Sequence, residues 1–350
     1  MTAVASTLVI ITSLLLNKTP TIPKIQCPQN DCTELVQSYL DKGGNITIPP
    51  GIYNIKADVN TPHQGGVYVH DNSTVDGKGK VILKAIPTST GTYKILNIYA
   101  ENTTVKNLEV VGDRYYHLGD WGEWGTGIRI AASHNVKLKN IRVRDCWGDG
   151  IYFGDVPAYR NDGIILNNIT SLNNRRQGIS LTSGSNITIK NSILRGTNGT
   201  APQAGIDIEP NEDSDKIDNV NIYNTIIDGN HGAGILIYDH VNVVSNVNVY
   251  NTKITNNGNS GFYTLNGTNL TIEKSIIKNN QVTSKKYPSE IKLEQSKNVV
   301  LKNNFINSSV PYSHGISIYG GYGEISENEI DVLGTSIKQQ NCDYYIHDNY

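Results

Sequence analysis

Asp207 and Glu209 lie two residues apart in the run Gly205, Ile206, Asp207, Ile208, Glu209, where apolar and polar side chains alternate. In an extended strand that alternation turns both carboxyls to one face, about 6.5–7 Å apart along the backbone. Carboxyl groups separated by about 6.5–9.5 Å leave room for a water, the arrangement that suits inverting hydrolysis of a glycosidic bond. Neighbouring carboxyls also raise one another's pKa, so one can keep a proton as general acid while the other stays ionised. Asp149 supplies a third carboxyl, and Arg175, Arg176 and Gln177 fall between it and the pair. Guanidinium groups in that position suit an acidic sugar or an oxyanion. The same set is compatible with β-elimination on a uronate polymer, in which Asp149, Asp207 and Glu209 would hold Ca²⁺ and neutralise the substrate carboxylate. Glu212, Asp213, Asp215 and Asp218 follow directly and read as a solvated corner.

The elements that must position these residues emerge from internal repetition. A phrase of Gly followed by alternating residues recurs as GIRI at Gly127, GIYF at Gly150, GISL at Gly178, GIDI at Gly205, GILI at Gly234, GFYT at Gly261 and GISI at Gly315. Successive intervals are 23, 28, 27, 29, 27 and 54 residues, with EIKL at Glu290 in the skipped place. A second alternating phrase sits between each pair, for example NVKLKNIRV, NITIKNSIL and NVNVYNTKI. One such strand pair cannot bury its own apolar face, but stacked repeats join those faces into a continuous core. The expected fold is all-β, a single-stranded right-handed parallel β-helix with a short N-terminal capping helix over residues 32–42. In register, Arg129, Tyr152, Ser180, Asp207 and Leu236 face outward on consecutive coils. Ala131, Gly154, Thr182, Glu209 and Tyr238 form a second outward row.

Composition agrees with strands and turns. The chain has 350 residues, with 33 Gly, 20 Tyr, 3 Phe and 1 Met, and only 18 % charged residues, too few for a disordered or coiled-coil chain. A net charge of −2 offers no global basic field for nucleic acid. Residues 3–16 form an apolar stretch shorter than the ~20 residues needed to span a bilayer, and resemble a signal-peptide core or an anchor. Cys27 and Cys32 are close enough to close a small disulfide loop, or are two independent thiols. Ten Asn-x-Ser/Thr triplets fit an exported surface.

The cap followed by Gly43, Gly44, Pro49, Pro50, Gly51 and Tyr53 resembles the start of the right-handed β-helix proteins of the pectate-lyase-like superfamily. The stretches GEWGTGI (122–128), CWGDGIYFG (146–154), NNRRQGISL (173–181) and TNGTAPQAGIDIEPN (197–211) resemble its branch of bacterial polysaccharide-active proteins and phage tailspikes. The run NNRRQG is also similar to one in uronate epimerases of this fold. Their Asp-Pro-His motif is replaced here by Asp207, Ile208, Glu209 and Pro210, without the His. The resemblance covers roughly Asp31 to Tyr350, and the chain is expected to divide into an apolar segment at 1–25, a cap at 26–45 and a β-helix over 46–350. It further implies a secreted, cell-surface or virion-surface protein that acts on a polysaccharide, without a cofactor unless Ca²⁺ serves an elimination. Non-catalytic glycan binding by a structural spike is the remaining alternative, with a trimer or end-to-end packing as its assembly. Asp207, Glu209 and Asp149 are the expected catalytic carboxyls. Arg175, Arg176, Gln177, Tyr152, Trp147, Trp124, Glu123 and His231 are the expected substrate contacts. Tyr115, Tyr116 and Trp121 would join the aromatic wall, and His117, His134 and His240 would be surface or corner residues.

Overall fold

The computed structural model describes residues 22–58, 65–154, 160–283 and 288–350, so the apolar segment at 3–16 lies outside the described residues. Within them the helix Thr33–Leu40 turns Val36 and Leu40 onto the first coil, where both are buried. Gln37 pairs with the exposed edge of the strand Val67–Val69: its amide donates to the Tyr68 carbonyl and its Oε1 accepts the Tyr68 N–H at 2.8 Å. That pairing covers an edge which would otherwise template aggregation. Cys27 and Cys32 form a disulfide, with Cα atoms 5.3 Å apart, that ties the entry strap to the cap. Among the described residues no helix is long and apolar enough to cross a membrane.

The chain then winds as parallel coils. One face is an eleven-stranded parallel sheet; the remaining strands form two parallel stacks joined into a twenty-stranded sheet. They are joined because strands such as Thr104–Val111, Lys137–Arg144 and Ile165–Leu172 bend midway at one left-handed asparagine each, Asn107, Asn140 and Asn168. Asparagine tolerates that conformation best among residues with a side chain. The bend also lets successive amides bond along the stack, Asn140 donating to Asn107 at 2.7 Å and Asn168 to Asn140 at 2.8 Å.

The same bends explain several glycosylation-like triplets, since Asn102, Asn168, Asn186 and Asn269 each donate their amide nitrogen to the preceding coil. These asparagines are thus engaged in the turns of the coils.

Register in the eleven-stranded sheet follows the repeat. Ile128, Ile151, Ile179, Ile206 and Ile235 stack inside, and Arg129, Tyr152, Ser180, Asp207 and Leu236 stack outside. The inner row is fully buried, and each such side chain contributes about 1.5–3 kcal/mol of transfer free energy. The glycine that opens each phrase is required by close approach of the next coil: a Cβ at Gly178 would lie 2.4 Å from the Gly205 carbonyl oxygen. Beside it runs a buried ladder in which Asn257 accepts from Asn230 and donates to Asn280. Where the glycine is replaced by Glu290, its carboxylate ends that ladder by accepting the Asn280 N–H and side-chain amide.

Candidate active site

The strands Trp124–Ile130, Ile151–Phe153, Ile179–Leu181 and Ile206–Ile208 present the candidate residues on consecutive coils. Asp149 and Asp207 are both buried, at 2 % and 1 % exposure, while Glu209 is half-buried. Burial pushes the Asp149 carboxyl up to about 7 despite the opposing charge and hydrogen bond of Arg176. Burial, and then the charge of Glu209, push Asp207 well above the usual carboxylate range, again against the pull of Arg176.

Arg176 is the hub. Its guanidinium is 3.3 Å from Asp149 Oδ2 and 3.8 Å from Glu123 Oε2. Burial alone would lower its pKa, but Asp149, Asp207, Glu123 and Glu209 together outweigh that and raise it. Gln177, fully buried, donates through Nε2 to Asp207 Oδ2 at 2.8 Å and accepts the Ala204 N–H at 2.7 Å. One oxygen each of Asp149 and Asp207, Oδ1 in both, is buried with no hydrogen-bond partner. Buried polar oxygens are ordinarily paired, and Asp113 and Asp145 each carry an unpaired Oδ1 as well.

A cleft of ≈ 460 Å³ lies beside this group and meets it at Asp149, the other lining residues being Thr92, Lys94, Trp124, Thr126, Arg129 and Tyr152, while Asp207 and Gln177 lie buried behind it. Trp124 is half exposed and offers a flat ring at the mouth. The structure thus brings together Asp149, Asp207, Arg176, Gln177, Glu123, Tyr152 and Trp124, with Glu209 on the same strand face as Asp207. Lys94 and Thr92 are cleft residues that the repeat did not single out. They lie on the preceding coil, in the strand Thr92–Ile98 paired with Trp124–Ile130, and register alone would have found them.

Several sequence expectations change here. Arg175 is committed to packing: its guanidinium stacks on Trp147 at 3.9 Å and donates to the Gly122 carbonyl at 2.7 Å. Trp147 is correspondingly a packing residue, stacked also by His117 at 3.9 Å. His117 is no surface histidine, since its side chain is 1 % exposed and bonded to the buried Asp113 at 2.8 Å. The excursion at 112–123 folds inward over the coils, which hides that pair from any pattern in the sequence. Tyr115 and Tyr116 leave the cleft and line a groove on another sheet. His231 is exposed on a turn, held through its backbone N–H to the Thr197 carbonyl. The Ca²⁺ arrangement is not formed: among the described residues no group of three His, Cys, Asp or Glu is placed to hold a metal ion. The Arg176 cation already bridges Asp149 and Glu123.

Stacked coils with a carboxylate cleft on one outer face define a class, the right-handed β-helix. Residues 51–215 and 204–349 match the model of the right handed beta helix region, and the chain belongs to that family. It is 27 % identical over 260 residues to the uncharacterized protein YclG of Bacillus subtilis, an alignment covering 61 % of this chain and 44 % of that one. The chain therefore spans less than half the length of that curated relative. Among solved structures it is similar to the A-module of the Azotobacter vinelandii mannuronan C-5 epimerase AlgE4, with 18 % identity, coverage of 94 % and 97 % of the two chains and a TM-score of 0.68. The tailspike gp49 of Acinetobacter baumannii bacteriophage Fri1, a capsular polysaccharide depolymerase, matches with 15 % identity over 91 % of this chain and 55 % of that one, at a TM-score of 0.58. At these identities the likeness to the solved structures is one of fold.

Proposed function

We propose that the protein is an extracellular or surface-borne glycoside hydrolase that cleaves a polysaccharide with inversion. The observation that carries this reading is the pair of buried carboxyls, Asp149 and Asp207, held from the coil between them by Arg176 and Gln177 and both raised in pKa by burial. Two carboxyls of this kind can divide the acid and base roles between them. Asp207, pushed well above the usual carboxylate range by burial and by Glu209, is assigned the general acid's role. Asp149, near 7 and paired with Arg176, is the group that ionises and activates water. The two stand two coils apart, roughly 10 Å along the stack, with Arg176 and Gln177 on the coil between them. Glu209, which the repeat makes the partner of Asp207, serves here by raising the Asp207 pKa from the same face. Trp124 supplies the stacking surface. The polysaccharide-acting epimerase and depolymerase of the same fold support the substrate class.

The test is product analysis on a panel of alginate, polygalacturonate and bacterial capsular polysaccharides. Release of reducing ends without the absorbance of unsaturated uronates is expected, and Asp207→Asn or Asp149→Asn should each remove about 10²–10⁴-fold of the rate. Unsaturated products would replace hydrolysis with elimination. Binding without any product would leave a glycan-binding spike.

A further inference from the structure

A second groove lies on the outer face of the twenty-stranded sheet, formed by a cavity of ≈ 420 Å³ that adjoins another of ≈ 250 Å³. The two share Lys24, Asn54, Lys84 and Tyr116, and together reach the size of a small-ligand site. Asn54 and Lys84 project from paired strands, Gly51–Ile55 and Val81–Ala85, and so stand on neighbouring coils. Tyr115 and Tyr116 reach over them from the excursion at 112–123, each 65 % exposed. Tyrosines side by side at a groove offer flat faces to a sugar ring.

The charges select among sugars. Arg144 is neutralised by Glu109 at 2.6 Å and by Asp145. Lys24 and Lys84 have no carboxylate partner among the described residues; Lys84 only overhangs the Tyr116 ring at 5.6 Å. Two uncompensated ammonium groups beside two aromatic faces fit a chain that alternates apolar ring faces with negative charge. We propose that this groove binds a segment of an acidic polysaccharide, away from the carboxylate cleft and without cleaving it. The excursion at 112–123 is the rib between the two sites: it carries Tyr115 and Tyr116 toward the groove, and Trp124 at the cleft mouth follows directly. A polymer held on one side of that rib is presented to the other at high effective concentration.

The experiment is affinity electrophoresis of the full chain in an Asp207→Asn background, in gels containing polygalacturonate, alginate or dextran. Retardation by an acidic polymer but not by dextran is expected. Adding Lys84→Ala with Tyr116→Ala should weaken it about tenfold, also when Trp124→Ala has already removed the ring at the cleft mouth. An unaltered thermal melt shows that the double variant folds, and if it does not, Lys84→Glu alone is the substitute. Retardation of the variant equal to the parent, equal retardation by dextran, or no retardation of the parent by either acidic polymer overturns the proposal.

Discussion

Gln177 fixes the Asp207 carboxyl from the neighbouring coil, its Nε2 2.8 Å from Asp207 Oδ2 while its Oε1 accepts the Ala204 N–H at 2.7 Å. Because Oε1 is held by a backbone donor, the amide cannot flip, and Asp207 always meets an N–H rather than a carbonyl. Replacing Gln177 by Leu leaves the carboxyl and the Ala204 N–H buried without partners. The expected result is a loss of about 1–3 kcal/mol per unsatisfied group, read in denaturant melts, together with a fall in kcat on whichever polysaccharide is cleaved.

The raised carboxyl pKa values make stability depend on pH with a definite sign. The Asp149 carboxyl titrates at its ordinary 3.8 in the unfolded chain and at about 7 in the folded one. Between those values the folded chain holds a proton that the unfolded chain has released, so its contribution to stability is greatest below about 4 and declines as pH rises to about 7. Asp149→Asn removes that decline. The melting temperature of the variant relative to the parent should therefore climb across this window and level off above it.

Activity should show the same coupling from the other carboxyl. The alkaline limb of kcat reports loss of the Asp207 proton, and the nearby Asp149 charge helps to keep that proton in place. In the residual activity of Asp149→Asn the alkaline limb should move to lower pH. An unmoved limb would separate the two groups.

Asn257 makes four hydrogen bonds inside the coil stack, accepting from the Asn230 N–H and amide and donating to the Ile227 carbonyl and Asn280 Oδ1. Leu at this position is close in size but supplies none of them. A loss of about 3 kcal/mol or more is expected in chemical denaturation, larger than for Asn251→Gly in the exposed ladder, where glycine keeps the left-handed bend and water replaces the lost bond.

Arg175→Ala should register in stability rather than in substrate affinity. It removes a guanidinium stacked at 3.9 Å on Trp147, a contact worth about 0.5–1 kcal/mol where both groups are part-exposed, and a bond to the Gly122 carbonyl. A lowered melting temperature with KM little changed is the expected pattern, whereas Arg176→Ala should alter the pH profile through Asp149.

The repeat of Gly followed by alternating residues was enough to establish the β-helix, its register and the outward row of Arg129, Tyr152, Ser180, Asp207 and Leu236, because strand alternation and stacking leave one way to bury the isoleucines. It also placed Asp149, Arg176 and Gln177 on adjoining coils. What it did not contain was where long side chains turn after leaving the backbone. Arg175 and Arg176 are consecutive, yet one spends its donors on a carbonyl and a tryptophan ring while the other sits among four carboxylates. The excursion at 112–123 has no period to read, so the burial of His117 and the turning of Tyr115 and Tyr116 to another sheet were decided by tertiary packing alone. The proton-holding character of Asp149 and Asp207 likewise belongs to the folded state, since desolvation is its largest cause and no residue is desolvated until the coils close around it.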